Sequence, residues 1–474
     1  MPKKHLAIIG NGMAATRLLD ELLKRHAGAR YNIDVYGDEP GTSYNRILLG
    51  KVLCGDDPDH IRMRATDWSA PAGAEVRFFE RTRIQRLDSA TRKLFAIDGR
   101  SFHYDVAVLA TGSRPFIPKI EGAMTAGGAI KPGVFAFRTL DDCLQIRSKI
   151  RPGDNAVVLG GGLLGLECAR RLRDCGLHVT VVHLAQTLME TQLDAHAGRM
   201  LQRQIEANGL FVRCGVTVAG VQGEEQVESI KLSDGTVLAA DLLVVSCGIR
   251  PNVDVASASG IPVNRGIMVN DSLATTVPGV YAVGECAEHR GTVYGIVAPI
   301  WDQCGVLADV LSGADPTRRY EGSKLYTRLK VAGVEVCSMG QIEPSLETDR
   351  VVQVMEERRS TYQKLIVRGQ KVIGAQLVGD TDAAGTLVQT FDAGTAVVGH
   401  PLALLCNGGP REAQTEMVCA CHRVSKTAIV DAIRQGCESV DAVGEATRAG
   451  TGCGSCKVKI QALLRTTSAV SMAS

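Results

Sequence analysis

Aromatic residues make up only 4% of this 474-residue chain, and just two of them are tryptophan. No basic stretch is interleaved with them, and the formal net charge is +2. The chain therefore carries no field that would gather nucleic acid. No apolar run approaches the roughly 18 residues that a membrane-spanning helix needs. The first strand pattern, His5 to Ile9, begins too close to Met1 to leave room for a secretory signal. Together these absences lead to the expectation of a cytoplasmic protein with neither a nucleic-acid nor a membrane partner. Hydrophobic residues at 45% and charged residues at 22% are ordinary for a globular protein, and the length suits about three domains. Cysteine is not scarce: there are fifteen. An odd number in a chain this long is no secreted disulfide framework. The eleven outside the terminal group fall mostly in apolar runs such as Val244 to Cys247, which reads as small core residues kept reduced.

The remaining four close the chain in a pattern of pairs. Cys419 and Cys421 form a C-x-C step, Cys453 and Cys456 a C-x-x-C step, with 31 residues between the pairs. Four thiolates grouped in this way hold a metal centre, and such short steps place two sulfurs on one iron of an iron–sulfur cluster. Structural zinc is the rival, but its paired cysteines usually leave two to four residues between them, and C-x-C leaves one. The stretch from Ser425 to Glu445 reads as helical rather than as a zinc ribbon. Gly450, Gly452 and Gly454 surround the second pair and allow tight turns whose N–H groups can approach sulfur. In cysteine order and spacing the segment resembles the bacterioferritin-associated-ferredoxin-like [2Fe–2S] domain. That resemblance implies a [2Fe–2S] cluster on Cys419, Cys421, Cys453 and Cys456.

Two glycine motifs account for much of the rest. Leu6 to Ala15 reads as a buried strand, a G-x-G-x-x-A turn on Gly10, Gly12 and Ala15, and a helix. The first glycine permits the turn, the second lets backbone approach a pyrophosphate, and the small third residue lets helix and strand pack closely. The helix N-terminus then faces the phosphates. Ile33 to Tyr36 is the second strand, and Glu39 is preferred over Asp38 as the acid that holds a ribose diol. A second copy follows at Ala156 to Glu167, with Gly160, Gly162 and Gly165 in G-x-G-x-x-G and Glu167 in the helix behind it. Val179 to Val182 is its second strand. Either motif alone could be a bare tight turn. Two in one chain imply two dinucleotides.

Three further segments carry a family resemblance: Ala110, Thr111 and Gly112 in ATGSRP, Gly248 to Asn252 (GIRPN), and Thr275 to Glu285 (TTVPGVYAVGE). With the two fingerprints they are similar to the two-dinucleotide flavoprotein reductases, the superfamily of glutathione reductase, NADH oxidase and rubredoxin reductase. The resemblance covers about residues 5 to 320. It implies FAD on the first fingerprint and NAD(P)H on the second. It also implies that Glu285, after Gly284, bonds the flavin ribityl chain, and that the NAD domain is an insertion in the FAD domain. Tyr44, Arg46, Leu49 and Lys51 resemble the Y-x-R-x-x-L-x-K segment of the rubredoxin and ferredoxin reductases. By that likeness Arg46 and Lys51 lie along the cofactor. Lys51 would sit near the isoalloxazine, where a cation stabilises the anionic reduced ring; the alternative for both is a solvated loop cation. The redox C-x₄-C of glutathione-reductase-like enzymes and the C-x-x-C that thioredoxin reductases carry in the NAD domain are both missing. Cys54 has no cysteine partner in sequence and no basic neighbour but Lys51, and reads as an ordinary thiol. The flavin's exit is then the terminal quartet. The position after Val182 is His183, and no Arg or Lys follows through Met189 to read a 2′-phosphate. NADH is therefore expected over NADPH.

The fold expected is α/β: two Rossmann-like dinucleotide-binding domains, glutathione-reductase-like, with a small α+β domain and a small helical [2Fe–2S] domain. The FAD domain takes residues 1–122 and 253–322, and the NAD(P)H domain 123–252. The small domain takes 323–400, a linker 401–417, and the cluster domain 418–465. Alternating patterns at Ser323 to Ala332, Tyr362 to Arg368 and Val372 to Gly379 read as strands of the small domain, with a helix from Ala383. This order looks like the N-terminal half of the NADH-dependent assimilatory nitrite reductase large subunit. It looks equally like the electron-transfer subunit of assimilatory nitrate reductase, and Leu188 to Asp194 and Tyr320 to Lys324 are phrases of that group. The resemblance implies electron flow from NADH to FAD to [2Fe–2S], and on to a separate molybdenum-containing nitrate reductase catalytic subunit. No further cysteine group follows Cys456, so reduction of nitrite by these residues is not expected. The alternatives are a ferredoxin, rubredoxin or nitrite-reductase-associated NAD(P)H reductase, or a docking partner for iron mobilisation from a ferritin-like store.

Overall fold

The computed structural model describes residues 2–64, 68–125, 127–406, 417–419, 421–452, 454 and 456–471. The chain forms two compact units. The first comprises Met1–Leu49, Asp57–Phe116 and Ile249–Ser323; the second comprises Gly50–Asp56, Ile117–Gly248 and Lys324–Ser474. The seams at Phe116/Ile117 and Gly248/Ile249 lie a few residues from the domain boundaries expected near 122 and 252. A short piece, Gly50–Asp56, packs with the second unit although the chain on either side of it belongs to the first.

The first unit is built on a five-stranded parallel sheet in the order Val280–Ala282, Val106–Leu109, Lys4–Ile9, Tyr31–Tyr36, Glu75–Phe79. Its central strands carry apolar runs, Leu6–Ile9 and Val106–Leu109, because both faces are covered, whereas the edge strand Glu75–Phe79 is largely exposed. Helix Met13–Lys24 buries Ala15, Leu18, Leu19 and Leu22 along one stripe. That stripe packs against Trp301, Cys304, Leu307 and Leu311 of helix Val297–Ser312. Each fully buried leucine of this kind contributes roughly 1.5–3 kcal/mol. Gly313, at φ +78°, ends the second helix in the left-handed conformation that glycine adopts without strain. A three-stranded antiparallel meander, Ile84–Asp88, Lys93–Ala96 and Ser101–His103, belongs to the same unit.

The second unit repeats the plan. Its parallel sheet runs Phe211–Cys214, His178–His183, Asn155–Leu159, Leu242–Val245, Val134–Ala136. A meander of Val218–Gln222, Ser229–Leu232 and Val237–Ala239 follows. Helix Leu163–Asp174 covers the sheet with Leu166, Cys168, Ala169 and Leu172.

Beyond Lys324 an antiparallel sheet takes the order Tyr326–Val331, Val334–Gly340, Lys371–Val378, Thr361–Arg368, Arg350–Glu356, with helix Ala384–Ala393 against it. The strand patterns at 323–332, 362–368 and 372–379 fall on three of these strands. Val334–Gly340 and Arg350–Glu356 were not expected from the pattern: the first is apolar on both faces at its centre, and the second is largely exposed. The sheet is fastened to the nucleotide domain at Asp194. Its carboxylate caps helix Ala195–Ala207 through the Ala197 N–H at 2.9 Å, and accepts from Tyr362 Oη at 2.6 Å and Lys364 Nζ at 2.8 Å. Gln376 Oε1 accepts the Asp194 N–H at 2.6 Å.

The terminal domain pairs Met417–Cys419 with Val424–Ser425 and packs helices Lys426–Arg434, Val440–Thr447 and Lys457–Ser471 around Ile429, Val443 and Ile460. The stretch from Ser425 to Glu445 that reads as helical holds two helices. Gly436, at φ +105°, ends the first, and Ser439 starts the second by accepting the Ala442 N–H at 3.1 Å. The expected linker at 401–417 opens with a short helix, Leu402–Leu405, whose Leu405 is buried in the small-domain core. Asn407 to Pro410 lie outside the described residues. No helix among the described residues is long and apolar enough to cross a membrane.

Asp194 sets a test of this docking. Burial alone would raise its pKa, but the Ala197 N–H, the Lys364 ammonium and the Tyr362 hydroxyl more than offset that and hold it below the usual carboxylate range. The resulting stability is present in full above the unfolded value of about 3.9, and is lost as pH falls through the lower folded value. Asp194→Ala should cost about 3 kcal/mol, the low end of the range for breaking a buried pair, because Lys364 keeps Glu343 at 2.6 Å. Urea midpoints at neutral pH and in acid measure both effects, and the variant should lose less stability on acidification than the parent.

Candidate functional site

Both fingerprints rest on the same close contact. A Cβ on Gly10 would stand 2.1 Å from the Ala110 carbonyl oxygen, and one on Gly160 would stand 2.1 Å from that of Ser246. Both glycines also have left-handed φ, +117° and +127°. A Cβ on Gly165 would meet the Gly160 oxygen at 2.1 Å, whereas the first motif tolerates Ala15 there. Gly12 and Gly162 are different: nothing lies within 4 Å of where their Cβ would be. Each initiates a helix from an extended conformation with no side-chain cap. The open N–H groups at these two helix starts suit a pyrophosphate, so both sites fit a dinucleotide.

In the first unit, the loop after the second strand is tied to the fingerprint helix by Thr16 Oγ1, which donates to Ser43 Oγ at 2.6 Å. That places Tyr44, Arg46 and Glu39 together. Tyr44 Oη donates to Glu39 Oε2 at 2.6 Å, and the Arg46 guanidinium pairs with Glu39 Oε1 and lies 5.0 Å over the Tyr44 ring. Burial works against the Arg46 charge, but Tyr44, Glu39 and Glu285 outweigh it and raise its pKa. Ser113 Oγ donates to Glu285 Oε2 at 2.6 Å, and Thr111 Oγ1 to the Asn252 carbonyl at 2.6 Å. Gly112 and Gly248 have left-handed φ of +66° and +94° and open space where a Cβ would be. Gly284, at φ +93°, would drive a Cβ into Ala14; its N–H donates to Gln303 Oε1 at 2.8 Å. Gln303 is fully buried, and its Nε2 has no partner among the described residues, a donor left over for a ligand. Asp38 is exposed on the loop. Lys51 is exposed on helix Leu49–Leu53 and falls in the second unit.

In the second unit His183 ends its strand almost buried. Gly161 N–H donates to Nδ1 at 3.1 Å, so the ring proton sits on Nε2, which meets Glu190 Oε2 at 2.9 Å. A Cβ on Gly161 would strike His183 Cγ at 2.7 Å and Leu188 at 2.6 Å. Glu190 was not among the residues expected here. The chain doubles back to bring it in: buried Met189 takes φ +55°, and its N–H bonds the Gly161 carbonyl at 3.1 Å. The one trace of this in the sequence is a carboxylate just after the apolar pair Leu188 and Met189. Glu167 is held by Arg171 at 2.9 Å.

At the terminal domain Cys419 and Cys421 sulfurs lie 3.8 Å apart. The Cys421 and Cys456 thiols both turn on Cys419, joined by the Gly450 and His422 N–H groups, and hold its thiol far below the usual range despite burial. A Cβ on Gly452 would meet Cys421 Sγ at 2.7 Å. Converging sulfurs and backbone donors fit an iron–sulfur cluster. Cys453, the fourth expected ligand, lies outside the described residues.

Of the other cysteines, Cys143, Cys168, Cys286, Cys304 and Cys337 are buried, as expected of core residues. Cys175, Cys214, Cys247 and Cys437 are half-buried, and Cys54 and Cys406 are exposed. Cys54, read from sequence as having no cysteine partner, has Cys175 Sγ at 3.9 Å. A separation of 121 residues hid that neighbour.

Three family models match in chain order. They are the pyridine nucleotide-disulphide oxidoreductase model at residues 4–300, the rubredoxin NAD+ reductase C-terminal domain at 326–395, and the BFD-like [2Fe-2S] binding domain at 417–466. The chain belongs to the pyridine nucleotide-disulphide oxidoreductase family. It is an NAD(P)H-dependent oxidoreductase with sites for FAD, NAD(P)H and a [2Fe–2S] cluster. It is 40% identical over 477 residues to the nitrite reductase [NAD(P)H] of Bacillus subtilis, a match that covers 98% of this chain and 58% of that one. It is 36% identical over 474 residues to the assimilatory nitrate reductase electron transfer subunit of the same organism, covering 98% and 60%. Among solved structures it resembles the ferredoxin reductase for the CYP199A2 system from Rhodopseudomonas palustris, with TM-score 0.73, 26% identity and coverage of 86% and 100%. The chain thus spans about three fifths of the length of the first two relatives.

Cys419→Ser should remove iron and acid-labile sulfide together while bound flavin and NADH-to-ferricyanide activity persist. Metal and sulfide analysis of anaerobically purified protein checks this, and zinc without sulfide would contradict the cluster.

Proposed function

We propose that this chain is the NADH-dependent electron-transfer component of cytoplasmic nitrate assimilation, delivering electrons to a separate molybdenum-containing catalytic subunit of assimilatory nitrate reductase. FAD held at the first fingerprint would supply a link between the two-electron chemistry of NADH and the one-electron chemistry of a cluster held by the terminal cysteines. The observation that carries the proposal is the convergence of Cys419, Cys421 and Cys456 in a domain of its own, after two nucleotide sites. An entrance, a relay and a one-electron centre in that order suit delivery of electrons one at a time to an acceptor. The 36% identity to a nitrate reductase electron transfer subunit supports this choice.

The chain's own residues divide the work. Gly10, Gly12 and Ala15 seat the FAD pyrophosphate, with Ala110, Thr111 and Gly112 beside it. Glu39, gripped by Tyr44 and Arg46, retains lone pairs for the adenosine ribose diol. Glu285, oriented by Ser113, takes the ribityl hydroxyls. Gly160, Gly162 and Gly165 seat the NADH pyrophosphate. His183 holds Glu190 where a diol-reading acid is needed, and that carboxylate repels a 2′-phosphate.

Glu190→Gln should raise the KM for NADH about 10-fold or more, the loss of one hydrogen bond to a charged group, and narrow the preference for NADH over NADPH. Steady-state kinetics with both nucleotides decide it, and an unchanged ratio would dismiss the role.

The 40% identity to a nitrite reductase favours a second reading, in which the same relay feeds nitrite reduction. Reconstitution separates the two. The chain with NADH should drive nitrate reduction only when the molybdenum subunit is added. Turnover with a sirohaem-bearing nitrite reductase module alone would favour the second reading, and success with rubredoxin alone would overturn both.

A further inference from the structure

We propose that Cys54 and Cys175 are a thiol modification site: a small-molecule disulfide such as glutathione disulfide converts them to an intramolecular disulfide, reversibly. Their sulfurs stand 3.9 Å apart, and neither is among the cysteines of the cluster. Backbone contacts hold both thiols in place. Cys54 Sγ donates to the Arg171 carbonyl at 3.7 Å and Cys175 Sγ to the Leu53 carbonyl at 3.6 Å. Cys175 caps the C-terminus of helix Leu163–Asp174, and Cys54 follows helix Leu49–Leu53. Each thiol therefore bonds a backbone carbonyl on the other's element, which holds the two sulfurs side by side. The roles differ by exposure: Cys54 is open to solvent and Cys175 is half-buried. Cys143 and Cys168 lie near enough to feel both charges, but they are buried, and burial pushes their thiols up. They are poor attackers.

The chemistry balances without help from the cofactors. The Cys54 thiolate attacks one sulfur of glutathione disulfide, forms a mixed disulfide and releases one glutathione thiolate. Cys175 loses its proton to water, and its thiolate attacks the Cys54 sulfur. The Cys54–Cys175 bond forms as the second glutathione thiolate leaves. Two protein thiols are oxidised and one disulfide is reduced to two thiols. Burial first, and then the neighbouring Cys54, push the Cys175 thiol up to about 11. The bond would tie the Gly50–Asp56 segment, which carries Lys51, to the last turn of the nucleotide-domain helix. Arg147 Nη1 already reaches the Val52 and Asp56 carbonyls at 3.5 and 3.3 Å. These are loose contacts that a covalent tie would tighten.

The test uses the full chain with its cofactors, treated anaerobically with glutathione disulfide, alkylated and digested without reductant. Mass spectrometry should find the Cys54 and Cys175 peptides joined, and reduced glutathione should separate them. Cys175→Ser should instead accumulate glutathione on Cys54, and Cys54→Ser should give neither product. Amide exchange across residues 50–56 should slow by about tenfold on oxidation of the parent chain, and not in Cys175→Ser. The proposal is overturned if glutathione stays on Cys54 in the parent chain as it does in the variant. It is equally overturned if Cys54 joins a different cysteine or a second chain, or if exchange is unchanged once the bond has formed.

Discussion

Both nucleotide sites depend on a carbonyl oxygen standing where a side chain would otherwise begin. The Ala110 oxygen sits against Gly10 and the Ser246 oxygen against Gly160, each 2.1 Å from the place of the missing Cβ. A methyl group at either position would separate the first strand of its sheet from the strand beside it. The fingerprint helix would then start in the wrong place, and the open N–H groups at Gly12 or Gly162 would no longer line up on a phosphate. Because the contact is with backbone, no neighbouring side chain can yield to make room. The rest of each site inherits its position from this contact: Glu285 follows Gly284, which presses on Ala14 of the first helix, and His183 bonds the turn at Gly161.

The later domains are held by different forces. The antiparallel sheet is fastened through Asp194, which serves a helix N-terminus, a tyrosine and a lysine with one carboxylate. Directional polar bonds of this kind define an orientation where an apolar face alone would tolerate several. The terminal domain has its own apolar centre around Ile429, Val443 and Ile460, small enough that Cys419 and Cys456 are part of it. In such a domain metal ligation is also folding energy. Sulfurs that belong to the apolar centre would then serve structure and ligation at once.

Cysteine shows how environment assigns chemistry to one side chain. In the sheets and helices Cys168, Cys286, Cys304 and Cys337 are small apolar fillers whose thiols burial pushes up. At the terminal domain two thiols and two N–H groups push Cys419 the other way. Cys54 and Cys175 meet at the boundary of solvent, where exchange chemistry is accessible.

Local order carried much of this into the sequence. Both G-x-G turns, their strands and helices, and the paired cysteines depend on residues within a few positions of one another, so spacing alone displayed them. The same holds for the Y-x-R-x-x-L-x-K segment, where Tyr44 and Arg46 do meet on Glu39. What escaped were contacts made by turns with no strong signature or by long separations. Glu190 reaches His183 only because buried Met189 takes a left-handed φ that no pattern marks. Cys54 and Cys175 become neighbours only when residues 50–56 pack on a helix from a different part of the chain. Sequence determined which elements form and which ligands they offer, since those follow from local sterics and periodicity. Tertiary structure decided which carboxylate meets His183 and which thiols lie side by side, because those depend on distances set by the packing of remote segments.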